Sequence, residues 1–389
     1  GKLCPFWPLA SPRMCPRGEL LATRLVLVLV LAPLCKALVL VQQGRAEPRA
    51  FAGVDGVERC STCSALGLLW CPSNFSNTTG RCTSQSASES EQCFDVAEEC
   101  PTLRTSPAGK PLPKVSPLDE SMRDDWDSSP MVDKEHRLIF CEHPKVACSE
   151  FKRLFMRLSG QAPREFPQLV EKPSAKDLNW LHHPKTNRIL RLNSFSAEEA
   201  SQMMADKSWT KAVFVRDPLE RLLSGYLDKC RMLPEEWRSK GNCPSNGYIS
   251  FPDFVKAVFA KASDWDGLLA MNAHWRPQSI NCDLYKWLEY YQFQGNFSHL
   301  GPHSKYLLQS LGLYDKYGHG WQKYGYGWSD TEDGFELFAE KPHDHKLRDA
   351  GNKVEEYFTK ELADFALDFY RKDYELFSLP RPSWYEKLQ

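Results

Sequence analysis

The chain has 389 residues, 42% of them hydrophobic, enough for a sizeable core and for about two domains. Its 49 Lys and Arg residues nearly balance 50 Asp and Glu, a formal net charge of −1. No global basic field draws it to polyanions, which argues against nucleic acid as a partner and requires any anion site to be built locally.

Residues 1–46 read as a targeting segment. The apolar run Leu25–Leu34 follows Arg13, Arg17 and Arg24, and apolar character resumes at Ala37–Val41 after Lys36. The run fits a signal-peptide core, with Gly44-Arg45-Ala46 as a small-x-small cleavage site. It also fits a short membrane span with a cytoplasmic amino terminus. Both readings put the remaining chain in the secretory lumen.

Residues 47–100 hold Cys60, Cys63, Cys71, Cys82, Cys93 and Cys100, a spacing expected of a small disulfide-rich module in an oxidising compartment. Zinc is the competing reading, but there is one C-x-x-C and no histidine in the segment. The run CSTCSALGLLWCPSNFSNTTGRC resembles in part a plexin–semaphorin–integrin cysteine-rich module. Asn74, Asn77 and Asn296 each begin an N-x-[ST] sequon. Residues 101–130, rich in Pro and Ser, read as a stem linker.

Residues 131–389 carry the α/β pattern. His136–Cys141 reads as a strand that runs into Glu142-His143-Pro144-Lys145-Val146-Ala147-Cys148-Ser149. A helix follows with Phe151, Leu154, Phe155 and Leu158 on one face. A helix N-terminus beside a lysine suits a phosphate, although the loop lacks the glycines of a Walker A motif. The run His182–Arg191 is basic and reads as a solvated face or as a lip for an anionic glycan. Ser196–Asp206 is expected to be helical, with Ser196 or Ser194 as cap.

Ala212–Val215 reads as a second buried strand, ended by Arg216-Asp217-Pro218. Leu219, Leu222, Leu223, Tyr226 and Leu227 then recur at helical spacing. Arg216 falls at the carboxyl end of a strand and Ser224 about two turns into the next helix, a position where open α/β sheets bind ligands. Cys230 and Cys243 flank a polar loop that a disulfide could close. Phe251–Ala262 reads as a helix capped by Ser250, with Pro252 in its first turn. Pro277 keeps His274-Trp275-Arg276 in a loop or turn. Gly295–Gly334 has few aliphatics and many Tyr, Trp, Gly and His residues. It reads as a long surface loop, or as an aromatic platform for sugar rings. Ala350–Tyr370 closes the pattern as one helix.

Three strings in order, CEHPKVACSEFKRLFM, RDPLERLLSGY and HWRPQSINC, resemble the Golgi carbohydrate sulfotransferase family of the chondroitin/dermatan 4-O-sulfotransferase and HNK-1 type, over roughly Arg137 to Pro382. The terminal KDYELF run resembles that family's ending. The resemblance implies a P-loop-like parallel sheet flanked by helices. It implies 3′-phosphoadenosine-5′-phosphosulfate (PAPS) as co-substrate, with no metal, and a glycan or proteoglycan as acceptor. It also implies a type II signal anchor in the Golgi membrane, with the catalytic domain in the lumen. Pro144, Lys145, Val146, Ala147, Cys148 and Ser149 would cradle the 5′-phosphate and sulfate, and Arg216 with Ser224 the 3′-phosphate. Lys145 would neutralise the bridging oxygen, and His274 would be the general base, with Glu142 and His143 as alternates.

Other readings stay open at this stage. A nucleotide kinase lacks its Walker A glycines here. A protein-tyrosine sulfotransferase would share the donor chemistry. A non-catalytic glycan-binding cell-surface protein on a decayed transferase fold would require loss of donor affinity.

Overall fold

The structure, a computed structural model, describes residues 69–72, 80–83, 101–104, 129–161, 181–182, 187–232, 243–245, 248–322, 327–328, 334–338 and 349–388. The targeting segment, the pairing of the six clustered cysteines, the Asn74 and Asn77 sequons and most of the Pro/Ser-rich stretch lie outside them. In the cysteine-rich region β1 (Leu69–Pro72) and β2 (Gly80–Thr83) pair antiparallel, with Trp70 opposite Cys82.

The main sheet is built from β3 (Thr102–Leu103), β4 (Met131–Asp133), β5 (Leu138–Cys141), β6 (Thr210–Val215) and β7 (Phe293–Asn296), in the order β3–β7–β6–β5–β4. β5, β6 and β7 are parallel, while β4 and β3 run antiparallel on the two edges. The expected parallel sheet is thus a parallel core with antiparallel edges. The short connection between β4 and β5 forces that outcome, because a parallel crossover needs a dozen or more residues. β3 also lies at the head of the stretch expected as linker, where Arg104 Nη2 donates to Gln294 Oε1 at 2.6 Å. That stretch therefore begins inside the sheet.

Side chains alternate across the sheet. Leu138, Phe140, Ala212, Phe214 and Phe293 bury on one face, and Ile139, Cys141, Val213 and Val215 on the other. Both faces are covered, as a parallel core requires. Helix α1 (Cys148–Leu158) lays Phe151, Leu154, Phe155 and Leu158 on the first face. The Phe151 ring lies 4.3 Å from Phe140 and 5.0 Å from Phe214, between centroids. Burying each such side chain contributes about 1.5–3 kcal/mol. Gly295 lets β7 pass this aromatic layer, since an added Cβ would come within 2.4 Å of the Phe214 ring.

Helix α2 (Ala197–Ala205) covers the second face. Ser196 and Glu199 form a reciprocal capping box at its start. Helix α3 (Pro218–Tyr226) begins where Asp217 accepts the Glu220 amide at 2.9 Å. Its apolar face, Leu219, Leu222, Leu223 and Tyr226, packs into a separate helical core with α4 (Phe251–Ala260). Ser250 caps α4 as expected. The chain continues through α5 (Trp265–Ala270) to β7.

Two expectations fail in the carboxyl-terminal half. The described residues of Gly295–Gly334 are not a surface loop: they supply the end of β7 and α6 (Leu300–Ser310). Among them Tyr314, Tyr317, Trp321 and Trp328 are buried against the first face, so they form no sugar platform. Aromatic rings fill there the volume that aliphatics fill elsewhere, which hides the usual periodicity. The expected single helix Ala350–Tyr370 is α7 (Ala350–Tyr357) and α8 (Lys360–Phe369), followed by α9 (Arg371–Phe377). The break occurs because the Thr359 hydroxyl starts a new helix by accepting the Leu362 amide. Cys230–Cys243 is a disulfide, as expected, and Cys141–Cys282 is a second that the sequence did not suggest.

Candidate active site

The site lies at the carboxyl ends of the three parallel strands, where β5 runs into Glu142–Ala147, β6 into Arg216 and β7 into Phe297. In the first loop Lys145 and Ala147 both have left-handed φ, 70° and 55°, a conformation that costs roughly 1–2 kcal/mol for a residue with a Cβ. Val146 sits between them, its side chain in the core and its amide donating to His143 O at 3.1 Å. Within α1, Phe151 N–H is the first amide with an acceptor one turn back, Ala147 O at 3.1 Å. The amides before it at the start of α1 have no acceptor within the helix, and the helix dipole there favours an anion.

Arg216 reaches this loop from β6. Its Nη1 donates to Lys145 O at 3.3 Å, its Nε and Nη2 to Glu220 Oε2, and its guanidinium lies 4.5 Å from the centre of the Phe297 ring. Burial pulls its pKa down, opposed by Glu220. Its backbone is held by Gln278. The Arg216 amide donates to Gln278 Oε1 at 3.0 Å, and Gln278 Nε2 returns a bond to Arg216 O at 2.8 Å. The HWRPQS loop is thereby docked on the end of β6.

Arg221 joins all three motifs. Fully buried on α3, it donates from Nε to Pro144 O at 3.0 Å, from Nη1 to Arg276 O at 2.8 Å and from Nη2 to Ala273 O at 2.5 Å. Burial lowers its pKa to about 10, which leaves it charged at neutral pH. α9 and the end of α8 complete the seam. Asp373 accepts the amides of Gln278 and Ser279 at 2.7 and 2.9 Å, and Tyr370 OH donates to Trp275 O. The Cys141–Cys282 disulfide links the strand before the first loop to the end of HWRPQSINC.

His274 lies in that loop against α3, where a Cβ added to Gly225 would come within 3.1 Å of the His274 carbonyl oxygen. Asn272 Oδ1 accepts the His274 backbone N–H at 3.0 Å and meets Nδ1 at 2.7 Å. An atom that accepts the backbone N–H is the amide oxygen, so Nδ1 carries the ring proton and Nε2 the lone pair. Burial and the ammoniums of Lys229 and Lys145 hold this histidine well below its usual pKa, against the pull of Asp228. Its ring is uncharged at neutral pH.

Lys145 Nζ itself lies 3.2 Å from Asp228 Oδ2, and Lys229 Nζ lies 3.3 Å from the same oxygen. Ser149 Oγ is 3.3 Å from His182 Nε2, and Lys152 Nζ is 3.1 Å from His182 Nδ1. Burial, then Lys152, Lys229, Arg153 and Lys145, keep His182 well below its ordinary pKa. A cluster of cations therefore converges beside α1's N-terminus in a chain whose net charge is near zero.

Lys145, Ser149, Arg216 and His274 thus gather at one end of the sheet. Pro144 supplies a carbonyl to Arg221, and Cys148, a thiol, opens α1. Ser224 is buried on α3 beside Gly225; among the described residues no hydrogen bond joins its hydroxyl to Arg216. The alternates for the base are committed elsewhere. Glu142 Oε1 accepts from Arg191 Nη2 at 2.5 Å and pairs with Lys152 at 3.0 Å, and all three residues are buried. His143 Nδ1 faces Asn281 Nδ2 at 3.1 Å, and burial with Arg221 and Arg276 nearby keeps it neutral. The basic run splits: His182 turns into the site and Arg191 into the core, while 183–186 lie outside the described residues. The Asn296 sequon ends β7, its Oδ1 accepting the Ser298 amide at 3.1 Å.

Sequence reading missed Arg221, Asp228, Gln278 and Asp373. A signal existed for the first two. Arg221, Ser224 and Asp228 repeat at helical spacing opposite the apolar face of α3, which marks a polar stripe turned toward the loops.

Residues 129–380 match the profile of the sulfotransferase family. The chain belongs to that family. It is similar to carbohydrate sulfotransferase 9 of Homo sapiens, 28% identical over 272 residues that cover 64% of this chain and 53% of that protein. Carbohydrate sulfotransferase 8 of Homo sapiens is 24% identical over 323 residues, covering 78% of this chain and 65% of that protein. Carbohydrate sulfotransferase 11 of Rattus norvegicus is 39% identical over 99 residues, 25% of each chain. The chain spans about half the length of the first of these relatives. No solved structure matches it.

Proposed function

We propose that the protein is a carbohydrate O-sulfotransferase that moves the sulfuryl group of PAPS to a hydroxyl of a glycosaminoglycan-like or other glycoconjugate acceptor. The observation that carries this reading is the union of the three motifs around Lys145, with Arg216 on its carbonyl and Arg221 tying Pro144 to the His274 loop. The names of the related carbohydrate sulfotransferases support a sugar as acceptor.

The residues fit a polyanionic donor. Lys145, Ala147, Cys148 and Ser149 offer an ammonium, left-handed backbone, helix-start amides and a hydroxyl, with Pro144 and Val146 shaping the turn. Arg216, together with Ser224 on α3, would hold the 3′-phosphate, as a planar guanidinium suits phosphate oxygens. PAPS supplies an activated sulfuryl group. This chain's part is to hold donor and acceptor in line, to steady negative charge with Lys145, and to take the acceptor's proton at His274 Nε2. The two disulfides support an oxidising compartment. With the basic-flanked apolar segment they favour a type II protein of the Golgi membrane with a luminal catalytic domain.

Calorimetry of the intact chain with 3′-phosphoadenosine-5′-phosphate tests the donor site. The chain should bind, and Arg216→Ala should weaken binding by about 2–4 kcal/mol. Transfer of label from PAPS to a panel of glycans should disappear in Lys145→Ala. An intact, folded chain that does not bind the nucleotide would overturn the reading.

A further inference from the structure

The turn after α3 carries a charge arrangement that the proposed reaction does not by itself require. Asp228 lies in a π-helical segment, Leu227–Met232, one turn beyond the Gly225 contact with the His274 carbonyl. π-Helical insertions gather at functional sites. One Asp228 oxygen stands 3.2 Å from Lys145 Nζ and 3.3 Å from Lys229 Nζ. The pair is well shielded, with the Lys145 and Asp228 side chains 8% and 13% exposed.

A carboxylate here is a costly choice for a site meant to receive an anionic donor. It repels the donor's phosphates and sulfate, and in a shielded site that repulsion is only partly screened. If the fold needed only to neutralise Lys145, a residue away from the donor loop would do so without that cost. What a carboxylate adjacent to Lys145 offers is direction. Lysine carries its charge on a flexible four-carbon stem, and an ion pair removes much of that freedom.

We infer that Asp228 is a positioning residue for sulfuryl transfer: its Oδ2 aims the Lys145 ammonium, and it does so at the expense of donor affinity. The inference rests on the donor-site reading of Lys145. No bond to Asp228 forms or breaks. Lys229, on the same oxygen, offsets part of the negative charge that the donor would otherwise meet.

The test is to measure affinity and turnover separately in the full chain. Calorimetry with 3′-phosphoadenosine-5′-phosphate reads affinity. Hydrolysis of labelled PAPS, which needs no acceptor, reads turnover. Asp228→Asn should bind the nucleotide about three- to tenfold more tightly and turn over at least about tenfold more slowly. Asp228→Glu, which restores the charge, should return affinity toward that of the parent and recover part of the turnover. Affinity and turnover falling together would mark Asp228 as merely structural and overturn the inference; so would an unchanged affinity. Should Asp228→Asn not fold because two lysines lose their partner, Lys229→Met is compared with the charge-balanced Asp228→Asn/Lys229→Met pair, where the same tightening is expected and its absence is fatal. A parent chain that fails to bind the nucleotide sinks the donor-site reading and this inference with it, whereas a binding parent with no tightening in the variant sinks this inference alone.

Discussion

Arg221 and Lys145 are both shielded cations of one site, yet they are held in opposite ways. Around Arg221 the partners are backbone groups: three carbonyls for its guanidinium, both polar groups of Arg216 for Gln278, and two amides for Asp373. Around Lys145 the partners are side chains, with Lys145 and Lys229 sharing Asp228, and Lys152 between Glu142 and His182. Backbone partners do not move without unfolding the loops they belong to. Side-chain ions are aimed by their pairing alone and can be altered without unfolding a loop. One region therefore fixes the loops themselves, and the other aims charges that are held only through side chains.

The largest effect should come from breaking the first region. Arg221→Met leaves the carbonyls of Pro144, Ala273 and Arg276 without their donor in a buried seam. It should cost about 3–5 kcal/mol in a denaturant unfolding curve. Lys145→Met, which removes a charge of the same sign from the second region and leaves Asp228 paired with Lys229, should cost less, about 1–3 kcal/mol, while abolishing transfer. Equal losses of stability in the two variants would erase the distinction.

A smaller effect sharpens it. Gln278→Leu keeps the volume but removes both bonds to the Arg216 backbone. The unfolding free energy should drop by about 2–3 kcal/mol. Nucleotide affinity should fall as well, because Arg216 loses its fixed base. Unchanged affinity in a folded variant would separate Arg216 from the loop that holds it.

The smallest effect is a pH dependence. His143, His182 and His274 are kept neutral chiefly by burial. In the unfolded chain each takes a proton near pH 6.5, so as pH falls through that value the unfolded state binds more protons and the fold loses stability. His136, raised by its bond to Asp133, acts in the opposite sense, since the fold holds its proton more tightly. So do Asp217, pushed up to about 6 by burial, and Asp373, also raised by burial. Three histidines outnumber the one that acts against them, and the fold should lose stability between pH 7.5 and pH 6. Thermal unfolding across that interval checks it, and a rise in the melting temperature on acidification would contradict it.

Much of the site was legible because its motifs are local. A strand that ends in Arg216 and a helix that starts after Asp217 are specified by neighbours in sequence, as are Ser196 and Ser250 as caps. Other features were read wrongly because the deciding partner lies far along the chain. The aromatic stretch after Gly295 looked like surface until β7 paired with β6 and its Tyr and Trp rings joined the core that also holds Phe151 and Phe214. The Cys141–Cys282 bond spans 141 residues and joins two cysteines that carry no local sign of being neighbours.

By itself the sequence determined the α/β alternation, the loop–helix junction at PKVACS and the ordered motifs, since hydrophobic period, capping chemistry and turn residues act over a few positions. The tertiary structure decided the edge strands, the burial of the aromatic stretch, the seam around Arg221 and the pairing of Lys145 with Asp228. Those depend on which carbonyl or carboxylate arrives beside a given cation, and that is set by how the strands order and how α3, α8 and α9 pack, not by spacing along the chain.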